Sequence, residues 1–182
     1  MHGLGTDFVV FNAIDQRYDL DAAMVRYIAN RRFGIGCDQV LVVEPPQNAE
    51  VDFRYRIYNA NGEEVEQCGN GARCFARFVR EKKLTGKRVI SVETMAGVIQ
   101  LKVCADHEVE VNMGVPEFDP ARIPFNAGQQ TPSYPLQIDG RELEIGAVSM
   151  GNPHAITRVE DTDTAEVERL GPLIEAHPDF PR

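Results

Sequence analysis

The sequence predicts an α+β fold in which a mostly antiparallel sheet curls around a central apolar helix, and three observations lead there. From about Asn70 to Val79 the apolar residues Ala72, Phe75, Ala76 and Val79 fall at i, i+3, i+4 and i+7, with Gly71, Cys74, Phe75 and Phe78 repeating the spacing one position earlier. Only Arg73, Arg77 and Arg80 interrupt this surface, as one polar stripe, so the helix needs wrapping on most sides. Around it, short alternating segments broken by glycine and Asn-Gly turns read as strands.

Taken in order, Met1–Asp7 is a glycine-rich loop that feeds a strand from Phe8 to Phe11. A ligand-contacting loop and a plain turn are both open readings of it. Asp19 to Arg32 has helical spacing in Leu20, Met24, Tyr27 and Ile28, with Asp19 or Asp21 as cap and Gly34 as terminator. A second glycine loop, Gly34 to Gln39, leads into a buried strand, Val40 to Val43, stopped by Pro45-Pro46. Val51 to Tyr58 alternates, with Val51, Phe53, Tyr55 and Ile57 facing inward and Asp52, Arg54, Arg56 and Tyr58 outward. Asn59-Ala60-Asn61-Gly62 turns the chain towards Cys68.

After the helix, strands are expected at Arg88–Thr94, Val98–Cys104 and Glu108–Met113, joined by hairpins at Ala96-Gly97 and Ala105–His107. Five prolines between Gly114 and Pro135 mark a crossover and divide residues 1–113 from 136–182. Strand character resumes from Leu136 to Met150 about Asp139-Gly140. Gly151-Asn152-Pro153-His154 follows as a polar loop, where His154 either serves chemistry or caps a strand. Thr162 or Thr164 is expected to cap a last helix, which Gly171-Pro172 should break before a short turn from Leu173 to His177.

Chemistry is expected where Cys68-Gly69-Asn70-Gly71 opens the central helix. The N–H groups of a helix's first turn have no intrahelical partner and carry partial positive charge, so a thiol there gives up its proton more readily and a carboxylate finds donors. Gly69 and Gly71 let backbone approach a ligand. Chemistry at a carbon next to a carboxylate is one reading; a buried structural cysteine beside a glycine turn is the other. Cys74 lies more than a turn further on, on an apolar face, and reads as core.

Composition narrows the classes. The 182 residues carry a net charge of -9, which argues against nucleic acid as a partner. No apolar run approaches a membrane span and no charged-then-apolar leader opens the chain, so a cytoplasmic protein with no membrane partner is expected. The four cysteines do not form a dense disulfide framework and read as reduced thiols. Without a C-x2-C pair or a tight Cys/His cluster, no metal site is expected.

These motifs resemble those of the diaminopimelate epimerase family. The similarity runs through Met1 to Val10, Arg31 to Pro46 (RRFGIGCDQVLVVEPP), Asp52 to Val79 (DFRYRIYNANGEEVEQCGNGARCFARFV) and Ser149 to His154 (SMGNPH). The resemblance implies a fold of two pseudo-symmetric barrel-and-helix halves. It also implies an isomerase of lysine and peptidoglycan-precursor biosynthesis that needs no cofactor and interconverts LL- and meso-diaminopimelate. One cysteine thiolate would take the α-proton and a second cysteine thiol would return one to the opposite face.

By this likeness Cys68 is the first catalytic thiol; Thr6, Gln39, Asn59, Gly69, Asn70 and Asn152 contact substrate; and His154 stands near the site. Thr6 replaces the asparagine of the family's usual GLGNDF loop, keeping an acceptor but losing the amide donors and the reach. A matching second cysteine is expected roughly 30 to 35 residues beyond Arg182, so the second half reads as incomplete and the chain as one catalytic half-site, inactive alone. An open sheet edge in such a chain would favour association, a homodimer among the outcomes. A thiol-based redox protein, a noncatalytic diamino-acid-binding module and a proline-racemase-like relative are the other readings weighed.

Overall fold

The computed structural model describes residues 1–66 and 68–181, and Gln67 and Arg182 lie outside the described residues. These fall into two compact units, Met1–Met113 and Gly114–Arg182.

In the first unit a mixed sheet folds about one helix. The strands are β1 (His2–Gly3), β2 (Thr6–Asn12), β3 (Gln39–Glu44), β4 (Phe53–Asn59), β5 (Glu64–Val65), β6 (Val89–Thr94), β7 (Gly97–Val103) and β8 (Val109–Asn112). Their order is β1-β2-β3-β4-β6-β7-β8, with β5 paired to β4. Most pairs are antiparallel, but β2 runs parallel to β3 and β4 parallel to β6.

The central helix α2 (Gly69–Glu81) begins one residue before the expected Asn70. Strands β1, β2, β3, β7 and β8 all pack against it, which is the curled sheet its apolar surface demands. Ala72, Phe75, Ala76 and Val79 are at most 1% exposed, among Leu41, Tyr55, Ile57, Ile90 and Leu101.

Local chemistry explains the element ends. The opening loop is a two-residue hairpin turn in which Leu4 and Gly5 both have positive φ, 51° and 92°, so the plain-turn reading of this loop describes its backbone. Asp21 caps α1 (Ala22–Ala29), its carboxylate accepting from Met24 N–H at 2.7 Å. This helix is shorter than expected because Asn30 is already extended and its side chain turns back to accept from Arg32 and Phe33 N–H, each at 2.9 Å.

Helix α1 lies over β3, and its Val25, Ile28 and Ala29 bury Tyr58 together with Val40 and Val42. The outward assignment of Tyr58 is therefore corrected: β4 is covered on both faces at that end. Further along the same face, Arg54 and Arg56 remain paired with Glu44, Glu64 and Glu93.

The second unit has its own core. Strands β9 (Tyr134–Ile138), β10 (Arg141–Ser149) and β11 (Pro153–Thr157) form an antiparallel sheet, and Ile123, Phe125, Leu136, Ile138 and Ile145 are buried against it with help from Leu170, Ile174 and Phe180. Two expectations change here. The polar loop shortens because β11 begins at Pro153, placing His154 opposite Val148. Helix α3 (Val167–Glu175) runs through Gly171-Pro172 instead of breaking, and Glu166, not a threonine, occupies its N-cap position. No residue of α3 is fully buried, so a helix one hydrogen bond poorer at Pro172 is held by a single apolar side.

Candidate active site

Strand directions gather the polar residues. Because β2 and β3 are parallel, Thr6 and Gln39 open neighbouring strands at the same end of the sheet. Because β3 and β4 are antiparallel, Asn59 closes β4 directly beside Gln39. The mouth of α2 joins them, since Asn70 Nδ2 donates to Thr6 Oγ1 at 3.1 Å.

Cys68 is the N-cap of α2, in extended conformation, and its sulfur accepts from Gly71 N–H at 3.4 Å. That contact satisfies one of the donors a helix start leaves unpaired, using a group that accepts better as an anion. The thiol is half-buried, whereas Cys74 is 4% exposed. Burial pushes the Cys74 thiol up from the ordinary value, as it does for Cys37.

The polar side chains hold one another in place. Gln39 Nε2 donates to Asn59 Oδ1 at 2.8 Å, while Gln39 Oε1 is buried with no hydrogen-bond partner among the described residues. Asn70 is fixed at both ends, because Arg73 donates to its Oδ1. Behind Thr6 and Gln39 sits a reciprocal clamp: Asp7 N–H donates to Asp38 Oδ2 at 2.9 Å, and Asp38 N–H donates to Asp7 Oδ1 at 2.7 Å. Arg31 binds both carboxylates and holds that of Asp7 well below the usual carboxylate range.

Six of the sequence-predicted residues thus share one region of the first unit: Thr6, Gln39, Asn59, Cys68, Gly69 and Asn70. Asn152 and His154 belong to the second unit, where both are exposed. There the Asn152 carbonyl accepts from His154 Nδ1–H at 2.8 Å, which leaves Nε2 as the acceptor of the neutral ring. Sequence reasoning missed the Arg31 clamp and the pinning of Asn70 by Arg73. Arg73 was visible as part of a stripe of charge, but periodicity does not say which neighbour a charge will meet. Among the described residues no group of three or more His, Cys, Asp or Glu side chains is arranged to hold a metal ion, and no helix is long and apolar enough to cross a membrane.

The family model for diaminopimelate epimerase matches residues 1–118 of this chain. The chain belongs to the diaminopimelate epimerase family. It is 63% identical over 183 residues to the diaminopimelate epimerase of Thioalkalivibrio sulfidiphilus and 59% identical over 181 residues to that of Nitrosomonas europaea, and each match takes in all of this chain. The chain spans 66% of the length of each of these curated relatives.

Among solved structures it is similar to a hydroxyproline epimerase from Agrobacterium vitis, with a TM-score of 0.64, 17% identity, and coverage of 93% of this chain and 51% of that one. A probable proline racemase from Agrobacterium radiobacter has a TM-score of 0.63 at 15% identity, covering 87% of this chain and 50% of that one. At such identities the likeness is one of fold: this epimerase family and those proteins share a sheet curled about a central helix.

Proposed function

We propose that this chain carries the first half-site of an epimerase that interconverts LL- and meso-diaminopimelate. The observation that carries the reading is Cys68 at the mouth of α2, its sulfur on Gly71 N–H, with Asn70 bonded to Thr6 and the Gln39–Asn59 pair at the same end of the sheet. The names of the curated relatives supply the substrate.

In this reading the substrate carboxylate takes the first-turn N–H donors of Gly69 and Asn70, which also hold the charge that builds up as the α-carbon loses its proton. The Cys68 thiolate removes that proton from one face, and a second thiol delivers one to the other face. After one turnover the first sulfur is protonated and the second is not, so the two protonation states have exchanged and the reverse reaction is equally served. Gln39 Oε1, buried and unpartnered, is an acceptor for a donor group of the substrate.

The second thiol is assigned to the part of the relatives' length that this chain does not span, so residues 1–182 alone are expected to give no net epimerisation. The reading uses no cofactor: the proton acceptor, the proton donor and the charge-stabilising N–H groups all come from protein.

Deuterium uptake at the α-carbon of LL-diaminopimelate in heavy water, under reducing conditions, tests it. A protein extended to the relatives' full length should exchange with inversion of the centre, and its Cys68→Ala variant should not invert it. Undiminished inversion in that variant, or no exchange from the extended protein, would overturn the reading.

A further inference from the structure

Tyr55 ends in a hydroxyl that the rest of the fold leaves unused. Its side chain is 1% exposed, lies in the core about α2 with its ring 4.7 Å from that of Phe75, and has no hydrogen-bond partner for its oxygen among the described residues. A buried hydroxyl without a partner is costly, and phenylalanine would fill the same space without that cost. Something other than stability accounts for the oxygen.

The oxygen is aimed at the first turn of α2. A Cβ added to Gly71 would stand 2.2 Å from the Tyr55 hydroxyl and 3.5 Å from Cys68 Cβ, so the phenol and the cysteine flank the same point. Gly71 has ordinary backbone angles and is not among the positive-φ glycines. It is glycine because of what approaches it. Alanine there would be a better helix former, yet its methyl would displace the hydroxyl.

We infer that Tyr55 is a positioning residue for Cys68: with the proton off the sulfur, the phenol turns to donate to it as a second donor beside Gly71 N–H, and Gly71 is kept small to leave the hydroxyl that room. The inference rests on the reading of Cys68 as the proton-transferring thiol for its purpose, but its test reads the sulfur directly. A thiolate held by two donors, Gly71 N–H and the Tyr55 hydroxyl, stays ionised at lower pH than one held by the amide alone.

The other ionisable groups in range are few. Cys68 and Cys74 act on Tyr55, and Cys74 in turn feels the amino terminus of Met1, Arg73 and Arg77. Strands β3, β7 and β8 bring apolar side chains to this helix, Leu41, Leu101 and Val111 among them. Loss of the phenol is therefore the main change that Tyr55→Phe makes at the sulfur.

The experiment is the pH dependence of Cys68 alkylation by iodoacetamide, followed at the peptide level by mass spectrometry in this chain and in its Tyr55→Phe variant. The midpoint of the profile should move up by about one pH unit, which is about a tenfold slower reaction well below the midpoint. The variant should melt at or above the parent temperature, because no existing hydrogen bond is lost. Gly71→Ala should move the midpoint in the same direction by displacing the hydroxyl. Superimposable profiles in folded Tyr55→Phe and parent would overturn the inference, as would an unmoved profile with a lowered melting temperature, since the hydroxyl would then be structural. A displaced profile in a protein whose extended form exchanges no α-proton leaves the inference standing and removes only the substrate reading.

Discussion

Two cysteines on one helix, six residues apart, live in opposite environments. Cys68 sits before the first turn, half-buried, with a backbone N–H on its sulfur. Cys74 lies on the body of the helix, 4% exposed, with its thiol pushed up by burial. The helix has the same backbone chemistry along its length, yet its first turn leaves donors unpaired and its body leaves none. The lesson is that reactivity belongs to the end of the element and stability to its middle.

That contrast breaks most visibly in activity. In the protein extended to full relative length, Cys68→Ala should lower α-proton exchange coupled to inversion by about 10³-fold or more, because one face of the α-carbon is left without its thiol. Cys74→Ala should keep exchange within about tenfold while lowering stability by about 1 kcal/mol. Comparable exchange losses in the two variants would erase the distinction.

In stability the order should reverse. Phe75→Ala removes a ring that is 0% exposed between Phe53 and Tyr55, and should cost about 3–5 kcal/mol in denaturant unfolding. Gly71→Ala improves helix propensity by about 1 kcal/mol, but its methyl meets the Tyr55 hydroxyl. The clash should win, for a net loss of about 1–2 kcal/mol. Adding Tyr55→Phe should recover most of it, since the obstacle is the oxygen itself. A Gly71→Ala protein as stable as the parent would show that space at the first turn is not limiting.

The buried thiols also set a pH limit. Cys74 and Cys37 titrate higher in the folded chain than the ordinary thiol value of 9.0, because burial disfavours the thiolate. The unfolded chain therefore gives up these protons first as pH rises. Their contribution is fully present below 9.0 and is lost as pH climbs through the folded-state values, so unfolding midpoints should fall above that pH. Removing both thiols with Cys37→Ala and Cys74→Ala should flatten this alkaline slope even as it lowers the plateau.

The smallest effect is expected at Thr6. Thr6→Val removes the acceptor for Asn70 Nδ2 and should raise KM for diaminopimelate a few-fold in the extended protein with little change in kcat, because Arg73 still holds the other end of Asn70. An equal fall in kcat would place Thr6 closer to the chemistry than this contact does.

Much of the first unit was legible in residue order. Apolar spacing located the start of α2 to within a residue, sorted Cys68 from Cys74, and found β2, β3, β4, β6, β7 and β8 to within about two residues, since period and capping are local properties; the two-residue strands β1, inside what reads as a glycine-rich loop, and β5 were missed. Covering partners were not legible. Tyr58 alternates outward along β4 as a solvent-facing residue would, and only α1 crossing that face buries it. Pro172 has the local chemistry of a helix breaker, yet α3 continues through it because its apolar side is held against β9.

The sequence by itself determined which residues have the chemistry: a cysteine ahead of a glycine-flanked asparagine, amides at strand ends, and an apolar helix that must be enclosed. Only the tertiary structure decided which of them meet. The parallel pairing of β2 with β3 brings Thr6 and Gln39 to one end, the Arg31 clamp joins Asp7 to Asp38, and the curl of the sheet delivers the Tyr55 hydroxyl to Gly71. The physical reason is that a side chain's type and facing follow from bonds within a few residues. Its partner is set by which strand lies alongside, and that is decided by how the whole core packs.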